Sequence, residues 1–71
     1  MRILKLYFTD GSYLFFSKHQ LPDNSGGIAK EFINKVIEFK REQNIPLVIA
    51  INTVINKYMN RVANIVFVKM S

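Results

Sequence analysis

Ile3-Leu4-Lys5-Leu6-Tyr7-Phe8-Thr9-Asp10-Gly11-Ser12-Tyr13-Leu14-Phe15-Phe16-Ser17 is the stretch whose reading decides the fold. Two aromatic and aliphatic runs flank Thr9-Asp10-Gly11-Ser12, and Asp-Gly is a favoured pair for a two-residue type I′ hairpin because both central positions need positive φ. Such a loop fixes the pairing by arithmetic: Phe8 opposite Tyr13, Leu6 opposite Phe15 and Leu4 opposite Ser17, all on one side. The other side then receives Ile3, Lys5, Tyr7, Leu14, Phe16 and Lys18.

Downstream, His19 to Gly27 holds Pro22, Asp23, Asn24, Ser25 and two glycines, which is loop composition with a helix N-cap candidate at Asn24 or Ser25. From Ile28 to Asn44 the apolar positions Ile28, Ala29, Phe32, Ile33, Val36 and Ile37 recur at helical spacing. Lys30, Glu31, Asn34, Lys35, Glu38, Arg41 and Glu42 lie opposite, and Pro46 ends the helix no later than about Asn44. Leu47 to Ile51 and Ile65 to Met70 are β-branched runs expected to be strands. Between them, Val54, Ile55, Tyr58, Met59 and Val62 share a helical face, so residues 53–62 suit a second short helix or, alternatively, a strand extension and turn. The expected fold is therefore α+β with the order ββαβ(α)β: a small, mainly antiparallel sheet of about four strands with one long helix across one face.

At 71 residues the chain has room for a single domain, residues 1–71, and with no cysteine it has neither disulfides nor thiolate ligands to support a small core. The apolar run from Leu47 to Ile51 is far short of the roughly 20 residues that span a bilayer. Arg2 to Phe16 is interrupted by Lys5, Thr9, Asp10, Gly11 and Ser12, so no export signal is expected. These features point to a soluble, cytoplasmic protein without a membrane partner. Ile, Asn, Lys, Phe and Tyr supply 32 of the 71 residues, the bias of an AT-rich genome such as that of a low-GC bacterium, its phages or its mobile elements.

Material for catalysis is scarce. His19 is the sole histidine, and of the five acids Glu31, Glu38 and Glu42 belong to the polar helix face while Asp10 is needed in a turn. A nucleophile beside a base, oriented by a third group, is poorly supplied by this set, although His19 and Asp23 lie near the same loop, where a His–Asp contact is conceivable. His19 with Asp23 gives two metal ligands where three or four must converge. Gly26-Gly27 belongs to no phosphate-binding glycine pattern and reads as loop flexibility. No metal or cofactor is expected, and an uncharacterised enzyme with His19 as its candidate residue stands only as a third alternative, behind the two binding readings.

Two surfaces remain. Net charge is +5, and from Gln43 to Ser71 the chain carries Lys57, Arg61 and Lys69 but no acid, a field that favours an acidic partner or phosphates and also keeps a small protein in solution. Apolar residues are also too many for one helix to cover. If a long helix shields one side of the sheet, Ile3, Tyr7, Leu14 and Phe16 on the other need a cover, and an isologous homodimer lets one patch serve both subunits. A short second helix could cover the same patch from within the chain. The expectation is thus a small non-catalytic interaction or regulatory protein that self-associates through Ile3, Tyr7, Leu14 and Phe16 and binds a macromolecular partner, in keeping with a phage- or mobile-element modulator of a host protein. The alternative is a nucleic-acid-binding module on the same side, its aromatics interleaved with Lys5 and Lys18 and assisted by Lys57 and Arg61.

Overall fold

The computed structural model describes residues 2–16 and 22–69, with backbone alone at 2–4 and 67–69. Strands β1 (Arg2–Phe8), β2 (Tyr13–Phe16) and β3 (Asp23–Asn24) come first. Helices α1 (Gly27–Gln43) and α2 (Leu47–Ile55), a single 3₁₀ turn (Met59–Arg61) and strand β4 (Val62–Lys69) follow. The four strands form one antiparallel sheet in the order β3-β2-β1-β4, so the chain's last strand returns to pair with its first. The α+β class and the four-stranded antiparallel sheet agree with the expectation; the order of elements does not.

The hairpin forms where Asp10-Gly11 sits, but its loop has three residues rather than two. Phe8 N–H donates to Ser12 O at 2.9 Å, Gly11 N–H donates to Phe8 O at 3.0 Å, and Gly11 takes φ 86°. This is a tight turn followed by a left-handed residue, the usual three-residue hairpin with a bulge. One extra loop residue moves every pairing by one: Leu4 faces Phe16, Leu6 faces Leu14, and Tyr7 faces Tyr13. Because strand side chains alternate, the slip turns β2 over. Leu14 and Phe16 join Leu6 and Phe8 in the core, and Tyr13 and Phe15 move to the opposite side.

The slip is held in place from outside the hairpin. The Asp10 carboxylate accepts Ser12 N–H at 2.9 Å and Ile28 N–H at 3.0 Å, and the Ser12 hydroxyl accepts Ala29 N–H at 3.0 Å. The turn therefore caps the first amides of α1, which otherwise have no acceptor within the helix. The caps expected at Asn24 and Ser25 are used differently. Asn24 Oδ1 accepts Gly26 N–H, and the Ser25 hydroxyl accepts Tyr13 N–H at 2.8 Å, tying the loop to β2. Gly27 has φ 57°, and a Cβ there would run into the Asp10 carboxylate, so the turn can approach only a glycine.

Helix α1 buries Ala29, Phe32, Ile33 and Val36 as its periodicity requires, and ends at Asn44 in the left-handed conformation (φ 51°) just before Pro46. Leu47 to Ile51, expected as a strand, is instead the start of α2. Ile49 and Ala50 N–H both donate to Pro46 O at 3.1 Å, and burial of Ala50, Ile51, Val54 and then Tyr58 follows a helical period. After a three-residue link the chain folds back on α1, and packing of Ala50, Ile51 and Val54 into the core shared with α1 overrides the β preference of the Val-Ile residues. Only residues 53–55 of the segment expected as a second helix are α-helical; Met59–Arg61 is the 3₁₀ turn that leads into β4.

Both helices lie on the same side of the sheet. The core joins Leu6, Phe8, Leu14 and Phe16 to the buried stripe of α1 and to Ala50, Ile51, Val54 and Tyr58. At its centre Phe32 packs between Phe8 (ring centroids 5.5 Å apart) and Tyr58 (5.2 Å, edge to face). Among the described residues no helix is long and apolar enough to cross a membrane.

Candidate functional site

With α1 and α2 stacked on one side, the sheet's other side is left to Lys5 and Tyr7 of β1, Tyr13 and Phe15 of β2, Asp23 of β3, in register with Phe15, and Asn64 and Val66 of β4. Register brings them together: Lys5 lies opposite both Phe15 and Val66, and Tyr7 lies opposite both Tyr13 and Asn64. Lys5 Nζ sits 5.4 Å from the centre of the Phe15 ring, and the Tyr7 and Tyr13 rings meet at 6.3 Å with a 47° tilt. Tyr13 is 48% exposed, while Lys5, Tyr7, Phe15 and Val66 are half-buried by one another. The result is a shallow aromatic surface with a single cation among its described side chains, and that cation lies against a ring face.

Several residues expected at the site are elsewhere. Leu14, fully buried, and Phe16, nearly so, sit under the helices and cannot meet a partner. Tyr7 is on the open side as expected. The side chain of Ile3 and the whole of Lys18 lie outside the described residues, as does His19. Tyr13 and Phe15 are the members that the hairpin arithmetic assigned to the wrong side. Local sequence offered little to correct it, since Leu14, Phe15 and Phe16 are all apolar and show no alternation. The usable signal was Ser12, a capping residue type placed next to an Asp-Gly turn.

The basic residues do not form one patch. Lys5 is on the open side of the sheet, whereas Lys57 is exposed in the helical layer beside a groove lined by Lys35, Glu38, Phe39, Glu42 and Val54. Arg61 donates to Glu31 Oε2 at 3.0 Å, and the same oxygen accepts the Tyr58 hydroxyl at 3.0 Å. The guanidinium also lies 5.7 Å from the Tyr58 ring centre. Arg61 is thus engaged in joining the end of the helical layer to α1. Burial, reinforced by the Glu31 carboxylate, pushes the Tyr58 phenol above its ordinary pKa, so the hydroxyl keeps its proton and acts as a donor.

No acid–base chemistry is set up around the remaining carboxylate of interest. Asp10 is held below the usual carboxylate range by the Ser12 hydroxyl first, then by the amides of Ile28 and Ser12. Its lone pairs are committed to the turn and the helix end. Among the described residues no three His, Cys, Asp or Glu side chains are placed to hold a metal ion. Comparison with protein-family models, curated proteins and solved structures finds no match for this chain.

Proposed function

We propose that the chain is a small non-catalytic interaction protein that works in self-associated form, the open side of its sheet packing against the same side of a second copy, and that this assembly modulates a macromolecular partner. The observation that carries this reading is the placement of both helices on one side, which leaves Tyr7, Tyr13, Phe15 and Val66 with no covering element among the described residues. A second copy suits this surface because it is mainly aromatic and carries one ion of each sign among its described residues, Lys5 and Asp23, which a two-fold axis can set against ring faces and against each other. The two tyrosines each pair an apolar ring with a hydroxyl that tolerates water at an interface rim.

Light scattering after size exclusion, from low to high micromolar concentration, tests the proposal. The native chain is expected to exceed the 8.3 kDa monomer and approach twice that mass. Tyr13→Glu, at an exposed position, is expected to stay monomeric with an unchanged circular dichroism spectrum. A native chain that stays monomeric throughout would overturn the reading.

A second reading, single-stranded nucleic acid on the same side, is supported by the Lys5–Phe15 contact, since aromatics beside a cation on an open sheet can stack bases. It is weakened by Arg61 being paired with Glu31 and by Lys57 lying in the other layer. Oligonucleotide binding that falls with salt and is lost in Lys5→Ala would favour it over self-association.

A further inference from the structure

Asp10-Gly11 is the chain's single Asp-Gly step, and both residues are exposed in the hairpin turn. An aspartate followed by glycine carries a reaction of its own. With no side chain on glycine to crowd the approach, the glycine amide nitrogen attacks the aspartyl Cγ and closes a five-membered succinimide. The new C–N bond forms as the C–OH bond of the protonated carboxyl breaks, and one water leaves, made of that hydroxyl and the amide hydrogen. A second water then opens the ring at either carbonyl, returning aspartate or leaving isoaspartate, with no net change of mass and no oxidant or reductant.

The folded turn holds both reacting groups away from this course. The nucleophile's hydrogen is engaged, since Gly11 N–H donates to Phe8 O at 3.0 Å. The electrophile accepts the Ser12 hydroxyl and Ser12 N–H on one oxygen and Ile28 N–H on the other. These donors keep the carboxyl ionised, the form that cannot release water. A Cβ at Gly27 would collide with Oδ2, so that side of the carboxylate is packed against the start of α1. The contacts to Gly27 and Ile28 need the hairpin docked on α1, and they vanish when the turn comes away.

We infer that Asp10-Gly11 is a self-modification site gated by the fold, closed while the turn is docked on α1 and converted to isoaspartate when the turn opens. Isoaspartate routes the main chain through Cβ, which adds one backbone atom to a loop whose length sets the β1–β2 register. The carboxylate left as its side group is one carbon shorter. A shorter arm on a longer loop cannot restore the Ser12 and Ile28 contacts together, so a modified chain does not return to this register. Neither residue belongs to the open side of the sheet, so the site is separate from the one proposed for self-association.

The test incubates the whole chain at neutral pH, folded in buffer and unfolded in concentrated urea, and follows isoaspartate at residue 10 by peptide mapping. Modification through an open state follows the population of that state, so the folded chain is expected to react at least about tenfold more slowly than the unfolded one. Ser12→Ala removes one arm of the clamp while leaving the Asp-Gly step intact. It is expected to raise the folded rate, relative to the same variant's rate in urea, by about fivefold. Tyr58→Phe breaks a hydrogen bond in the helical layer, away from the turn, and is expected to leave the folded rate unchanged. Isoaspartate chains separated from the urea sample are expected to refold with displaced Ile28 and Ala29 amide resonances. Equal rates in buffer and urea, equal acceleration by Ser12→Ala and Tyr58→Phe, or modified chains with both amides at their native positions would each overturn the inference. If Ser12→Ala does not fold, the two rates of the native chain and the refolding of the modified chain still decide.

Discussion

Asp10 carries more of the fold than its place in an exposed turn suggests. Its carboxylate takes the Ser12 hydroxyl, Ser12 N–H and Ile28 N–H, which sets the loop length and caps α1 together. Because these donors lower its pKa on folding, Asp10 stabilises the fold at pH values above its unfolded value of about 3.9, and that contribution is lost as pH falls through the lower folded value. Urea unfolding of Asp10→Asn is expected to show a less stable protein at neutral pH and a gap to the native chain that closes in strong acid; a gap independent of pH would contradict this. Ser12→Ala removes the acceptor of Ala29 N–H and is expected to cost about 1 kcal/mol by the same assay. In Tyr58→Phe, Glu31 keeps Arg61 but loses the phenol, for an expected cost of about 1 kcal/mol.

Elements show which parts of the structure were readable and why. Helix α1 was legible because Ala29, Phe32, Ile33 and Val36 repeat at helical spacing against a charged opposite face. The hairpin's position was legible from Asp10-Gly11, but its register was not, since those two residues suit a two-residue or a three-residue loop equally well. The choice is made by α1 amides 17 and 18 residues away, a contact that no local pattern contains. Helix α2 was hidden for a similar reason: Leu47-Val48-Ile49-Ala50-Ile51 has strand composition, and its helical form buries Ala50, Ile51 and Val54 in the core shared with α1. The candidate site inherited the register error, so Tyr7 was found while Tyr13 and Phe15 were exchanged for Leu14 and Phe16. Thermal or urea melts of alanine variants distinguish the two registers. Leu14→Ala and Phe16→Ala are expected to cost about 2–5 kcal/mol each, whereas Tyr13→Ala and Phe15→Ala in the monomer should cost about 1 kcal/mol or less. Comparable costs at Leu14 and Phe15 would mean that β2 does not have one buried side.

At the scale of the whole molecule the fold has one covered side and one open side. Two helices share a single face with Leu6, Phe8, Leu14 and Phe16, and the chain has no further element among the described residues to shelter Tyr7, Tyr13, Phe15 and Val66. Charge is divided in the same spirit: Arg61 is tied to Glu31, Lys57 faces the helical groove, and among the described residues Lys5 and Asp23 stand on the open side, each in register with Phe15. The proposed self-association rests on that open side. The most direct measurement is an isotope-filtered nuclear Overhauser experiment on an equal mixture of labelled and unlabelled chains. Contacts between copies are expected from the Tyr7, Tyr13 and Phe15 rings; their absence there, or contacts arising only from exposed Val48 and Ile49 of α2, would contradict the account.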